Sequence, residues 1–124
     1  MSYIIPQPDQ VNPYKSYQAI VTQSGTSAPV ATVKLNELGA TLTWARTSAG
    51  LYTITAGSAV FTASKTVIFL SNPITGLVSY LVIPTSTTVI TLTTLLLSVV
   101  ATVLTATNSD NLITNLGIEI RVYS

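Results

Sequence analysis

The side chains that could carry out chemistry are few in this sequence and far apart. The four carboxylates are Asp9, Glu37, Asp110 and Glu119, and the chain contains no histidine and no cysteine. Acid–base catalysis by paired carboxylates needs two of them a few ångströms apart in a cleft, and this spacing does not indicate such a pair. Without histidine or cysteine, the usual general base and the commonest transition-metal ligands are also missing. The sequence therefore predicts no catalytic residue, no metal site and no cofactor.

The remaining polar motifs favour turns over binding sites. No serine stands in a Gly-x-Ser-x-Gly elbow, and no histidine is present to activate one. Ser24-Gly25-Thr26 is too short for a phosphate loop and lacks the lysine that would follow it. The segment 108–111 offers several oxygen atoms but lacks the ligand pattern of a calcium loop. We interpret both segments as turns.

The aromatic residues allow two interpretations. Trp44 and Arg46 lie on the same face of a predicted strand, so that the two side chains could stack. If the aromatic side chains are exposed, Trp44, Tyr52 or Tyr123 could form a platform for a sugar ring. If they are buried, Trp44 fills the core and Arg46 lies at its edge, as is typical of large aromatic residues.

Charge is scarce in this chain. Only 7% of the 124 residues are charged, the net charge is +1 and the mean hydropathy is +0.56, whereas about 25% of residues are charged in a typical soluble domain. Nucleic-acid binding needs clustered basic residues, which this sequence lacks. A surface with so little charge favours self-association, so we expect much of it to be covered by other protein chains. The alternative is a secreted, threonine-rich monomer.

Short strands separated by turn signals follow from Tyr17 to the end of the sequence. Thr41–Arg46 and Leu51–Ala56 form the clearest predicted hairpin, and Gly117–Tyr123 alternates strictly between apolar and polar residues. Eight or nine strands at intervals near ten residues, with no amphipathic helix, are typical of an antiparallel sandwich. The sequence predicts an all-β domain over residues 17–124, either a β-sandwich or a jelly-roll-like fold.

Residues 1–16 differ from the rest of the chain. Three prolines, at positions 6, 8 and 13, together with Gln, Asn and Asp, interrupt any periodicity. We interpret this segment as an extended arm that docks onto a neighbouring subunit, with Tyr3, Ile4 and Ile5 as its anchoring contacts. The start of the sequence lacks the basic and apolar regions of a secretory signal.

The most apolar stretch, Val89–Leu104, raises the question of a membrane span. Its mean hydropathy is high enough to flag a transmembrane helix, so a small viral membrane protein that uses residues 88–106 as a span is one alternative. However, the stretch is rich in β-branched residues and regularly interrupted by Thr and Ser, and no basic residue flanks it closely. We predict buried strands instead, with Leu95–Thr105 forming either one bent strand or two shorter ones.

Several segments together resemble a recurring module of bacteriophage virion proteins. The resemblance covers about residues 14–72 and 112–124, whereas residues 73–107 are more apolar and threonine-rich than is usual in that family. The matching segments are Tyr14-Lys15-Ser16-Tyr17, Thr22-Gln23-Ser24-Gly25-Thr26, Ala28-Pro29-Val30-Ala31-Thr32-Val33, Asn36, Leu38-Gly39, Trp44-Ala45-Arg46, Gly50-Leu51-Tyr52, Phe61-Thr62, Lys65-Thr66 and Ile118-Glu119-Ile120-Arg121-Val122-Tyr123.

This resemblance implies a non-enzymatic structural protein located in the virion. Similar proteins look like head fibres, spikes or vertex decorations and are often trimeric. The expected partners are further copies of the chain, in a homotrimer, and other virion proteins such as capsid or portal and vertex proteins. An alternative within the same family is a module at a fibre tip that attaches to the host by binding a surface glycan or another receptor.

Overall fold

The computed structural model describes residues 13–71 and 77–124, and this part of the chain forms nine β-strands and no helix. The strands are β1 Tyr14–Gln23, β2 Val30–Asn36, β3 Leu42–Ser48, β4 Leu51–Ala56, β5 Thr66–Ser71, β6 Val78–Pro84, β7 Val89–Val100, β8 Val103–Asn108 and β9 Ile113–Tyr123. The all-β prediction is confirmed.

The strands form two antiparallel sheets that pack against each other as a β-sandwich. The first sheet has the order β2-β1-β9-β5, and we call it sheet A. The second, sheet B, has the order β3-β4-β7-β6, and β8 also pairs with β7. The predicted sandwich is therefore confirmed, and the jelly-roll connectivity stays a prediction.

The core lies between the two sheets and follows the alternation of the strands. Every second residue of a strand points to the same face, and on the inner faces these positions are apolar. The fully or almost fully buried apolar side chains include Tyr17, Ala19 and Val21 of β1, Tyr52 and Ile54 of β4, Ile90 and Leu92 of β7, and Leu116, Ile118 and Ile120 of β9. Ile118, Ile120 and Val122 share one face, as the alternation in Gly117–Tyr123 predicts.

Two hydrogen bonds join the layers at the margin of this core. The Trp44 indole Nε1 of β3 donates to the Tyr17 hydroxyl of β1 over 3.2 Å. The Tyr80 hydroxyl of β6 donates to the Leu112 carbonyl, just before β9, over 2.6 Å. Both bonds satisfy polar groups that burial removes from water, and burial accordingly raises the pKa of both tyrosines.

The first and last strands of the described chain are neighbours in sheet A. β1 and β9 pair from Tyr14 opposite Tyr123 to Gln23 opposite Ile113, with one irregularity. The proline-rich sequence predicts that residues 1–16 form an extended arm. Residues 14–16 instead belong to β1, because β1 pairs with β9 as far as Tyr123. Tyr3, Ile4 and Ile5 lie outside the described residues, so their anchoring role stays a prediction.

The segment 88–106 forms strands, so its interpretation as a membrane-spanning helix is wrong. β7 pairs with β4 and β6 through its first half and with β8 through its second half. Within residues 13–71 and 77–124, no helix is long and apolar enough to cross a membrane. The β-branched residues that dominate the stretch favour the extended backbone.

The β7–β8 hairpin projects beyond the sandwich and is attached to it at its base. The Ser109 amide donates to the Thr94 carbonyl over 3.1 Å, and the Thr94 hydroxyl donates to the Ser109 carbonyl over 2.7 Å. Gly50 of the β3–β4 turn, at a φ of 66°, passes directly beside this base. A Cβ on Gly50 would lie 2.5 Å from the Ser109 nitrogen and 2.6 Å from the Thr94 oxygen.

Replacing Gly50 by alanine is therefore expected to destabilise the protein more than replacing Gly39. Gly39 also has a positive φ, of 77°, but a Cβ there meets nothing within 4 Å, so Gly39→Ala carries only the backbone cost of about 1–2 kcal/mol. Gly50→Ala adds a steric conflict of about 1–3 kcal/mol. Urea unfolding followed by the fluorescence of the single tryptophan measures both, and equal effects would contradict the close approach.

Candidate functional site

A continuous apolar surface lies on the outer face of sheet B and on the β7–β8 hairpin. Leu81 and Ile83 of β6 are exposed, and their partners across the sheet are Thr93 and Thr91 of β7. Further along the same face of β7 lie Leu95, Leu97 and Val99, and the last two pair with Ala106 and Leu104 of β8. We call this surface the apolar face.

The opposite side of the projecting hairpin is also apolar. Leu96 and Val100 of β7 and Val103 of β8 are exposed there, because the hairpin extends past the facing sheet. Val100 is 67% exposed and Leu104, on the other side, is 64% exposed. Monomeric proteins rarely leave such side chains together in water, and contiguous apolar patches mark contacts with other molecules.

No charged residue interrupts this part of the molecule. The sequence from Thr66 to Ser109 contains no Asp, Glu, Lys or Arg. Depletion of charge is typical of the centre of a protein–protein interface. The outer face of sheet B is instead completed by hydroxyls, from Thr43 and Thr47 of β3 and Thr53 and Thr55 of β4, which hydrate without repelling a second neutral surface.

Asp110 fixes the base of the hairpin to the neighbouring β3–β4 hairpin. Its carboxylate accepts hydrogen bonds from Nε and an Nη of Arg46, at 3.1 and 2.7 Å, and from the Gly50 amide at 3.1 Å. The Tyr52 hydroxyl donates to the same carboxylate over 2.7 Å. The Asp110 and Arg46 side chains are only 12% and 22% exposed, so this ion pair is partly shielded from solvent.

These contacts shift the ionisation of all three groups. Donation by Arg46, then by Tyr52 and the Gly50 amide, holds the pKa of Asp110 well below its usual range. The hydrogen bond to Asp110 raises the pKa of Arg46. Burial, reinforced by the bond to Asp110, raises the pKa of Tyr52 to about 12. Every polar group of the cluster is paired, so we assign the cluster a positioning role.

Asp110 lies in the turn between β8 and β9, as the sequence predicts, but its bonds to Arg46 and Tyr52 were not predicted. Arg46 and Tyr52 are cross-strand partners in the β3–β4 hairpin, so the predicted hairpin already placed a guanidinium beside a phenol. A guanidinium beside a phenol was the one sign in the sequence that a carboxylate should lie near both groups. The carboxylate that completes it follows about sixty residues later in the sequence, and no local pattern connects it to the hairpin.

The proposed ligand-facing aromatic residues have different environments. Trp44 is half-buried against the core, as the second interpretation predicted, and Tyr52 is fully buried. Tyr52 therefore cannot face a ligand. Tyr123 is half-buried, and its ring lies 5.2 Å from that of Tyr14.

A polar network occupies the outer face of sheet A. The Glu119 carboxylate accepts hydrogen bonds from the Ser16 hydroxyl, the Gln18 amide and Arg121, at 2.9, 3.1 and 3.1 Å. These bonds, that of Arg121 first, lower the pKa of Glu119. The Arg121 guanidinium lies between the rings of Tyr14 and Phe69, at 4.5 and 4.8 Å from their centroids.

Beside this network a shallow groove of about 440 Å³ crosses sheet A. Gly117, Ile20 and the aromatic side chain of Phe69 line it. Glu119 and Lys34 also line it. The sequence analysis did not single out this groove, since its residues come from four strands. Among the described residues, no three acidic, His or Cys residues cluster as metal ligands would.

Comparisons with known proteins give no relative for this chain: no family model, no curated protein and no solved structure matches it.

Asp110→Asn is expected to lower the free energy of unfolding at neutral pH and to flatten its decrease in acid. A carboxyl whose pKa is lower in the folded state than its unfolded value, about 3.9, stabilises the fold above that value. The stabilisation is lost as the pH falls toward the folded pKa. Thermal unfolding of wild type and variant between pH 7 and pH 2 measures this. An unchanged loss of stability in acid would contradict the assignment to Asp110.

Proposed function

We propose that this protein is a non-enzymatic structural subunit of a bacteriophage particle, and that it works as part of an oligomer. The apolar face carries the proposal, because it combines exposed Leu, Ile and Val side chains with a complete lack of charge. Removing such a surface from water drives association. The assignment to a bacteriophage rests on the resemblance of residues 14–72 and 112–124 to virion proteins.

The arrangement of the strands supports a role in assembly. The sandwich forms a rigid body, and the Asp110 cluster holds the projecting hairpin in one orientation at its base. A preorganised interface loses little conformational entropy when it binds. The expected partners are other copies of the chain and neighbouring capsid, portal or vertex proteins, and the expected location is the virion. The homotrimer and the anchoring by an arm of residues 1–13 are parts of this proposal, which a mass measurement and the deletion of these residues test.

The double substitution Val99→Lys and Leu104→Lys is expected to reduce the oligomer to a monomer. These residues are cross-strand partners on the apolar face, and two buried ammonium groups would cost several kcal/mol in an interface. Both are exposed in the single chain, so its thermal unfolding should hardly change. Light scattering after size exclusion gives the mass, for which one copy corresponds to 13.1 kDa.

The matched control is the double substitution Val30→Lys and Val33→Lys, at residues that are 69% and 50% exposed on β2 in sheet A. It introduces the same charge at a similar exposure but away from the apolar face, so its mass should equal that of the wild type. The virion role is tested by quantifying the protein in purified phage particles. The control should be incorporated, whereas the variant on the apolar face should not. A wild type absent from particles would refute the role, and a monodisperse wild-type monomer would refute the oligomer.

A second candidate function is binding of a host-surface glycan, and the groove on sheet A favours it. A sugar ring has one apolar face and several hydroxyls, and the groove offers an exposed aromatic side chain beside fixed polar groups. The exposed fraction of Phe69 is 47%. Because Tyr52 is buried and Trp44 is half-buried, this site differs from the platform that the aromatic residues first indicated.

Phe69→Ala is expected to abolish saturable binding on a glycan array if the groove is a sugar site. Val67→Ala is the matched control, since Val67 is 40% exposed on the same face of β5, and it should bind as the wild type does. A wild type that binds no glycan at all would exclude this function for the groove.

A further inference from the structure

Both strands of the projecting hairpin have an edge that no described strand covers, and the edge of β8 is the longer one, because β6 pairs with β7 only as far as Leu96. β8 pairs with β7 on one side, and on its other side no strand of the described residues lies next to it. All six residues of β8, Val103–Asn108, are exposed. The strand therefore presents a row of main-chain donors and acceptors to solvent.

The turn determines which groups point outward. β7 and β8 are joined by the two residues Ala101 and Thr102, and Val100 pairs with Val103. In a two-residue hairpin this flanking pair is hydrogen-bonded, and the bonds then alternate along the strand. Val103 and Ser109 are an even number of positions apart, so the main-chain groups of both residues point toward β7. The Ser109 amide accordingly donates to the Thr94 carbonyl of β7. The main-chain groups of Leu104 and Ala106 therefore point away from β7.

The other edge strands carry features that oppose pairing with a second chain. Proteins protect sheet edges with charges, prolines and bulges. In β2, Lys34 lies at a register shift, because its neighbours Val33 and Leu35 pair with consecutive residues of β1. In β3, a register shift follows directly after Arg46. β5 follows directly after Lys65, and β6 ends in Pro84. β8 has no charge and no proline, and its register with β7 is uninterrupted.

The turn of the hairpin is also strained. Ala101 and Thr102 have φ values of 50° and 67°, the left-handed conformation that a type I′ turn requires at both positions and for which Asn and Gly are preferred. A β-branched residue such as Thr102 is an outlier there. Strained backbone of this kind occurs where function requires a defined geometry, which here is a straight and regular β8.

We propose that β8 of one copy pairs antiparallel with β8 of a second copy across a two-fold axis, so that the two sheets B become one continuous sheet. An antiparallel strand is its own complement, so one surface serves both partners. With no charge from Thr66 to Ser109, no like charges meet across the axis. The pairing satisfies the outward groups of Leu104 and Ala106, and it places the Val and Leu side chains of the two hairpins side by side on each face of the joined sheet.

This inference rests on the proposed self-association and names β8 as the strand through which two copies bind. Its test distinguishes failure of the β8 pairing from failure of self-association. Ala106→Pro removes one outward amide, a change that an edge strand tolerates when the amide faces solvent. The wild type is expected at twice the mass of one chain, which replaces the homotrimer of the proposed function, and Ala106→Pro at half of that mass. A wild type at three times the mass of one chain would overturn the β8 pairing and support the homotrimer. Ala106→Thr keeps the amide and favours a strand, so it should retain the wild-type mass.

A cysteine scan along β8 gives a second measurement that does not depend on the proline variant. The chain has no native cysteine, so single substitutions at positions 103–107 can be oxidised without side reactions. Across a two-fold axis, a cysteine near the axis meets its own copy and forms a disulfide-linked dimer. In a ring such as a trimer, identical positions do not meet and no such link forms.

The outcomes distinguish the β8 pairing from the structural role of the protein. An oligomer whose mass Ala106→Pro leaves unchanged, or which no cysteine of the scan links, would overturn the β8 pairing and leave the structural role intact. A wild type that stays monomeric would overturn both. Halved mass for Ala106→Pro, together with a linked dimer at one or two adjacent positions, would support the pairing.

Discussion

The Asp110 carboxylate is the contact on which the exposed part of this molecule depends. It accepts hydrogen bonds from Arg46, Gly50 and Tyr52, and so joins the segment after β8 to the β3–β4 hairpin. Its partners occupy most of its acceptor positions, which offsets the cost of removing the charge from water. An apolar hairpin without this attachment could fold back and bury itself. The cluster instead fixes the segment after β8 beside the β3–β4 hairpin, so both sides of the projecting hairpin stay available for contact.

The two outer faces of the sandwich present different chemistry. Sheet A carries the ionised network of Glu119 and Arg121 and a groove over Gly117, whereas sheet B carries hydroxyls and aliphatic side chains without charge. Charged residues therefore stabilise one face in water, and their absence from the other lowers the cost of covering it. This division gives the low overall charge a structural meaning, because Arg46 pairs with Asp110 and Arg121 with Glu119 within the chain.

Much of the fold could be predicted from local patterns, and the rest depends on distant pairings. The β3–β4 hairpin follows from alternation and turn residues. β7 runs from Val89 to Val100, across the start of the strand predicted at Leu95, because pairing with β4, β6 and β8 in turn keeps it extended. β1 starts at Tyr14 because β9 extends to Tyr123. The groove and the Asp110 cluster unite residues from separate strands, which no sequence window contains.

The pairing of the first and last strands has a mechanical consequence. β1 begins and β9 ends at the same end of sheet A, where the Ser124 amide donates to the Pro13 carbonyl over 3.1 Å. A force that separates these two ends acts across the ladder and opens its hydrogen bonds one at a time. A force between Pro13 and the tip of the β7–β8 hairpin is instead carried through the packed core. The sandwich should therefore resist load between these two points far better than load between its own ends.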